Sequence, residues 1–150
     1  SVELKGSYAG LDLLHTQGDV IRSTLEGIAI NLRLVLDELK KFAEVSGDML
    51  LVGGGSKSRL WRQIFADTYR MPVLETRVGQ NAGALGAAAL AAVGTGLWKD
   101  FSPIAGAHEV LSRTEPHRDN ADKYEQLLPL FRDIAAFHSD VGDRLAALPF

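Results

Sequence analysis

Three consecutive glycines at residues 53–55 stand between a short apolar run and an amphipathic segment. The run at residues 49–52 is typical of a buried strand, and apolar residues return at helical spacing after the glycines, at Leu60, Trp61, Ile64 and Phe65. We therefore predict a strand-to-helix turn at the glycines. A helix N-terminus presents unpaired N–H groups and partial positive charge, and a backbone without Cβ atoms lets an anion approach closely.

The glycine triplet costs more backbone entropy than a turn alone would require. Each glycine costs roughly 0.5–1 kcal/mol of backbone entropy relative to alanine, whereas an ordinary turn needs one glycine. The excess favours a ligand-binding loop over a merely flexible turn. Lys57, at the mouth of this loop, is either a cation that complements a phosphate or an ordinary solvated lysine.

The spacing around the triplet narrows the choice of ligand. A P-loop needs glycine directly before its Lys-Ser pair and again five residues earlier, but Ser56 and Leu51 occupy those positions. A dinucleotide fingerprint fits better, because Gly53 and Gly55 fill its first two places and Glu75 ends the next predicted strand, where a ribose-binding acid belongs. Its third glycine is replaced by Ser58. A Rossmann-like dinucleotide-binding module of an oxidoreductase therefore remains the alternative hypothesis.

Four segments in a fixed order extend the pattern over about two thirds of the chain, at residues 10–16, 21–29, 52–67 and 82–88. In this order they resemble the nucleotide-binding half of FGGY-type carbohydrate kinases, and xylulokinases are the most similar members. The resemblance implies an α/β fold that is part of an actin-like (ribonuclease H-like) ATPase domain, with a mixed sheet and packed helices. It also implies that the loop is the adenosine motif. The nucleotide-binding residues would be Gly53, Gly54, Gly55, Ser56, Lys57 and Ser58.

The same resemblance sets the expected chemistry. An FGGY kinase transfers the γ-phosphoryl group of ATP to a sugar hydroxyl with Mg²⁺, here a pentulose such as xylulose, and then releases ADP. We expect residues 1–150 to form the C-terminal part of the second kinase domain, without the N-terminal sugar-binding domain. That domain supplies an Asp-x-Gly motif and the aspartate base. The chain would thus hold no catalytic residue or metal ligand and would be inactive alone.

Composition limits the partners. With 16 basic and 19 acidic residues and a formal charge of −3, the chain has no electrostatic footprint for nucleic acid or an anionic membrane. Its apolar tract at residues 84–93 is too short for a membrane span, and the lack of cysteine fits a cytoplasmic location. In the family fold, strands before Gly10 complete the sheet. We therefore expect an uncovered edge or apolar face, and a homodimer or larger assembly.

Periodicity predicts a long first helix from an N-cap at Thr16 to about Val45. Its outer face is expected to carry ion pairs at four-residue spacing, joining Arg22 to Glu26, Arg33 to Asp37 and Asp37 to Lys41. An alanine-rich helix at residues 82–93 is expected to pack tightly against the sheet. The other predicted elements are a strand at residues 72–75, an extended piece at 109–111 and a helix from about 120 to 145 that Pro129 kinks or divides.

Overall fold

The computed structural model describes residues 6–107 and 109–149. Its strands are β1 (Met49–Leu50), β2 (Val73–Thr76) and β3 (Val110–Thr114), and its helices are α1 (Gln17–Leu39), α2 (Arg59–Tyr69), α3 (Ala82–Gly94) and α4 (Arg118–Ala146). Short 3-10 turns lie at Gly54–Lys57, Gly79–Asn81 and Ser102–Ala107. The sheet order is β1-β2-β3, with β1 parallel and β3 antiparallel to β2. This mixed sheet with packed helices confirms the predicted α/β class.

Helix α1 begins where its capping signal predicts. The Thr16 hydroxyl accepts a hydrogen bond from Asp19 N at 3.3 Å, and the Asp19 carboxylate accepts one from Thr16 N at 2.8 Å. The helix ends at Leu39, however, and not near Val45. Most helical stability comes from burying an apolar face, and the segment after Leu39 buries little: Phe42 is 85% exposed.

Helix α2 lies at the centre of the core. Its residues Ile64, Phe65, Ala66 and Tyr69 form one buried cluster with α1 and β2. Burial raises the pKa of Tyr69 to about 12, because the phenolate would lose its hydration there. A second cluster joins α1 to α4 through Ile30, Tyr124 and Leu128. Helix α2 therefore supplies most of the first cluster, and α1 takes part in both, through Ala29 and Ile30.

The ion pairs of α1 follow the prediction in part. Arg22 binds Glu26 at 2.7 Å and Arg33 binds Asp37 at 2.8 Å, as expected. The third predicted pair is wrong, because Lys41 lies beyond the helix and its ammonium binds Glu38 at 2.7 Å. Arg33 is also mostly buried and reaches other elements. Its guanidinium donates to the Thr68 carbonyl of α2 at 2.5 Å and to Glu125 of α4 at 2.9 Å.

The strand and helix boundaries differ from the predictions at several ends. Strand β1 pairs with β2 over two residues, because Val52 turns outward and is 43% exposed. Strand β3 extends to Thr114, and α4 begins at Arg118 and continues through Pro129 without being divided. Leu128 before the proline and Phe131 after it pack in the same cluster with α1, which holds both sides of Pro129 in one helix.

The tight packing predicted for the alanine-rich helix α3 is wrong. Ala89 is its buried residue, and a Cβ added at Gly83 or Gly86 would meet no atom within 4 Å. Small side chains permit close packing but cannot enforce it, since they contribute little apolar area. Within the described part of the chain, α3 therefore presents most of its small residues to solvent.

Large apolar side chains also remain exposed on the other helices. Examples are Ile21, Val35 and Leu39 on α1, and Leu130 and Phe137 on α4. Exposed apolar surface tends to bind other apolar surface. The expected homodimer or larger assembly stays a prediction. Within the described ranges, no helix combines the length and the apolar character that a membrane span requires.

Asp67 is a buried carboxylate that anchors the start of α4. Its side chain, on α2, is 2% exposed. It accepts hydrogen bonds from His117 N at 2.7 Å, from Gln63 Nε2 at 2.7 Å and from Asn120 Nδ2 at 2.9 Å. A carboxylate at a helix N-terminus satisfies unpaired N–H groups and interacts favourably with the helix dipole.

We predict that Asp67→Ala lowers the free energy of unfolding by about 3 kcal/mol, because it leaves several polar hydrogens without their acceptor. Urea denaturation followed by circular dichroism measures the change. The matched control is Asp133→Ala, at an exposed position of α4, for which we expect a change below about 0.5 kcal/mol. Equal effects of the two substitutions would contradict the anchoring role.

Candidate functional site

The residues predicted to bind nucleotide form one continuous loop between β1 and α2. We call residues 53–58 the glycine loop. Gly54–Lys57 form a 3-10 turn, and Ser58 is the N-cap of α2, accepting a hydrogen bond from Trp61 N at 3.2 Å. The strand, turn and helix therefore follow one another as the sequence predicts, and the loop lies beside the first turn of α2.

The three glycines are present for different reasons. Gly53 has φ of +87°, in the region that side chains other than glycine rarely adopt. A Cβ on Gly55 would lie 2.7 Å from Cε3 of Trp61, so the indole ring excludes any side chain there. Gly54 has neither constraint, because its φ is not positive and an added Cβ would meet no atom within 4 Å. The bare backbone at Gly54 is also exposed.

The two serines of the loop are engaged in structure. Ser56 is 2% exposed, and its hydroxyl donates to the Gly53 carbonyl at 2.7 Å. The Ser58 hydroxyl caps α2. A second contact holds the loop from the side of α3, where Gly53 N donates to the Gly79 carbonyl at 3.2 Å. The surface that the loop offers to a ligand is therefore mainly its backbone around Gly54 and the side chain of Lys57.

The electrostatics of this surface favour an anion. Lys57 is exposed, and in residues 6–107 and 109–149 its ammonium has no hydrogen bond or ion pair. The first turn of α2 carries no acidic residue, so nothing within that turn offsets the partial positive charge of the helix N-terminus. The arrangement can accept a phosphate or another anionic group from solvent, because Gly54, Lys57 and Ser58 are all exposed.

Arg62 and Glu75 lie beneath the loop, and sequence reasoning missed their pairing. Arg62 Nη1 is 3.2 Å from Glu75 Oε2 and also donates to the Ser56 carbonyl. The Ser112 hydroxyl of β3 donates to Glu75 at 2.7 Å. The dinucleotide hypothesis needed Glu75 free to bind a ribose, but this carboxylate is committed to the protein. No local signal could have found the pair, since its members lie on different elements.

A cavity of about 360 Å³ lies beside this pair, between the first turn of α2 and β3. Three arginines, at 59, 62 and 113, contribute to its lining together with Glu115 and His117. The charges of Arg62 and Arg113 are already paired, with Glu75 in the first case and with Asp48 and Glu115 in the second. The cavity is therefore less cationic than its arginines suggest, and the glycine loop remains the candidate site.

Comparison with known proteins gives consistent matches. The profile of the FGGY family of carbohydrate kinases, C-terminal domain, matches residues 2–95, which include the glycine loop. A xylulose kinase of Staphylococcus epidermidis is 29% identical over 133 residues, which cover 88% of this chain and 27% of that protein. A glycerol kinase of Bacillus subtilis is 34% identical over 124 residues, covering 82% of this chain and 25% of the relative. The chain thus spans about a quarter of the length of these relatives.

Solved structures agree with the sequence matches. The ligand-bound xylulose kinase from Lactobacillus acidophilus superimposes with a TM-score of 0.81 at 27% identity, covering 95% of this chain and 29% of that one. This likeness confirms the predicted fold as part of an actin-like ATPase domain. Together with the engaged Glu75, it leaves the oxidoreductase alternative without support. The chain belongs to the FGGY family of carbohydrate kinases, whose C-terminal domain it matches.

Proposed function

We propose that this chain is the nucleotide-binding part of an ATP-dependent sugar kinase and that its glycine loop contacts ATP or ADP. The observation that carries the proposal is the exposed backbone of Gly54 beside the start of α2 and the Lys57 ammonium, which has no hydrogen bond or ion pair among the described residues. Neither the backbone conformation of Gly54 nor the packing around it requires glycine, because φ is not positive and a Cβ would enter open space. At this helix start, the missing side chain leaves room for an anion to approach the backbone.

The charges around the loop support a nucleotide as that ligand. The start of α2 carries partial positive charge with no acidic residue in its first turn, and Lys57 adds an exposed cation. Both would attract the phosphates of ATP or ADP. The exposed backbone around Gly54 would lie against the ribose and the base, as the family's adenosine motif does.

The reaction proposed for the whole protein is transfer of the γ-phosphoryl group of ATP to a sugar hydroxyl. This step depends on positioning and on neutralising charge, and it needs a base that accepts the hydroxyl proton. Among the residues described here, no three His, Asp or Glu side chains cluster as metal ligands. We therefore propose that the phosphates and residues outside this part of the protein hold Mg²⁺, and that the base and sugar contacts lie there too.

A pentulose such as xylulose is the proposed acceptor. The support is similarity to xylulose kinases in both sequence and structure, at 29% and 27% identity. The glycerol kinase match at 34% identity shows that this part of the chain resembles kinases with different acceptors. We therefore propose that the residues which select the acceptor lie outside this chain, with the sugar contacts.

Thermal unfolding with and without nucleotide tests the proposal directly. At 100 times its Kd, a ligand that binds only the folded state stabilises it by about 2.7 kcal/mol, which for a domain of this size raises Tm by roughly 5–10 °C. We predict such a rise with ADP or ATP and none with NAD at the same concentration. Absence of any shift with ADP and ATP would refute the proposal, and a larger shift with NAD would restore the dinucleotide hypothesis.

We predict that Gly54→Val abolishes measurable ADP binding in calorimetry while Tm without ligand stays within about 2 °C of wild type. The valine would occupy the space of the ligand without contacting the rest of the protein. The matched control is Gly47→Val, because Gly47 also has a non-positive φ and no atom within 4 Å of an added Cβ. Undiminished ADP affinity in Gly54→Val would exclude the glycine loop from the site.

We predict that Lys57→Ala weakens ADP binding by about tenfold or less, since an exposed charge contributes on the order of 1 kcal/mol. Lys57→Arg keeps the charge and should bind ADP as the wild type does. Calorimetry at two salt concentrations measures both affinities. Unchanged affinity in the alanine variant would identify Lys57 as an ordinary solvated lysine. A thousandfold loss would show that Lys57 contributes much more binding free energy than a solvent-screened charge can.

A further inference from the structure

The pair formed by Arg62 and Glu75 lies directly beneath the glycine loop, with Arg62 buried and the Glu75 side chain 25% exposed. Arg62 is 6% exposed, and its guanidinium approaches Glu75 at 3.2 Å. A buried ion pair is weak support for stability, because desolvation of the two charges offsets most of their attraction. Apolar side chains of similar volume would fill the same space. The pair therefore calls for an explanation beyond packing.

The contact that distinguishes Arg62 is its hydrogen bond to the backbone of the loop. Arg62 Nη1 donates to the Ser56 carbonyl, near the end of the 3-10 turn Gly54–Lys57. Carbonyl groups at the end of a helical turn lack partners and carry partial negative charge, so a cation there stabilises the turn. The Ser56 hydroxyl bonds back to Gly53 at 2.7 Å. Holding Ser56 thus holds the whole turn.

Glu75 and Ser112 connect this contact to the sheet. Glu75 of β2 and Ser112 of β3 are register partners across the antiparallel strand pair. The Ser112 hydroxyl donates to Glu75 Oε2 at 2.7 Å, and the same carboxylate oxygen faces the Arg62 guanidinium. A continuous chain of polar contacts therefore runs from β3 through Glu75 and Arg62 to the loop backbone.

We infer that Arg62 is a positioning residue for the nucleotide: it fixes the Ser56 carbonyl, and with it the glycine loop, while Glu75 orients its guanidinium. The inference rests on the proposed function of the loop and adds a residue that does not itself contact the ligand. Nη1 makes both contacts, to the Ser56 carbonyl and to the Glu75 carboxylate, at the end of a rigid planar group. The ammonium of lysine is a point charge on a flexible stem, so it would hold the carbonyl less firmly.

The test separates positioning from stability with a neutral double variant, Arg62→Met with Glu75→Gln. Glutamine keeps an acceptor for Ser112, and removing both charges avoids leaving one of them buried and unpaired. The matched control is Arg77→Met with Glu109→Gln, which makes the same changes in an exposed pair whose atoms are 2.6 Å apart. Calorimetry measures ADP affinity, and hydrogen exchange followed by mass spectrometry reports on residues 53–58.

We expect the Tm of the double variant to lie within a few degrees of the wild-type Tm. Its ADP affinity should be at least tenfold weaker. Amide hydrogen exchange should be faster in the loop peptide but unchanged in the core of α2. The control should match wild type in all three measurements. Arg62→Lys, which keeps a charge opposite Glu75, serves if the double variant fails to fold, and it should show the same loop loosening and loss of affinity.

Two results would overturn the inference: wild-type ADP affinity in a folded double variant or in Arg62→Lys, or unchanged hydrogen exchange in the loop. The second measurement needs no ligand. If wild-type protein does not bind ADP, the proposed function fails, while exchange in the loop still decides whether Arg62 holds it.

Discussion

The structure depends on the burial of one short helix from almost every side. Helix α2 has 11 residues, and its apolar side chains form the cluster that joins α1, β1 and β2. Trp61 and Phe65 stack with ring centroids 5.9 Å apart, which extends this core up to the glycine loop. Because the interior is close-packed, a change in α2 is felt in every element it touches.

Buried side chains of this core form hydrogen bonds with backbone groups of neighbouring elements. Arg62 donates to the Ser56 carbonyl, Asp67 accepts from His117 N, and the Thr68 carbonyl accepts from Arg33. Buried polar atoms need partners, and an unmet one costs more than a formed bond contributes. These contacts therefore specify where the loop and the neighbouring helices lie, while apolar burial supplies most of the stability.

The proposed nucleotide surface is open to solvent, and the chain matches about a quarter of the length of its relatives. Phosphoryl transfer requires an enclosed site that positions two substrates and holds preorganised charged groups around them. An exposed glycine loop and exposed apolar helices are what one side of such a cleft would present. We propose nucleotide binding and loop positioning for this chain, and bond making for the whole protein.

Local signals in the sequence were sufficient for the elements around the site. The capping box at Thr16, the glycine triplet and the N-cap Ser58 each act within a few residues, so the sequence alone determined where α1 and α2 begin and what turn joins β1 to α2. Tertiary structure alone decided which charges pair: Glu75 meets Arg62, and Asp67 anchors α4. Those choices join residues that are close only after folding, since packing brings their elements together and most buried polar groups then pair with one another.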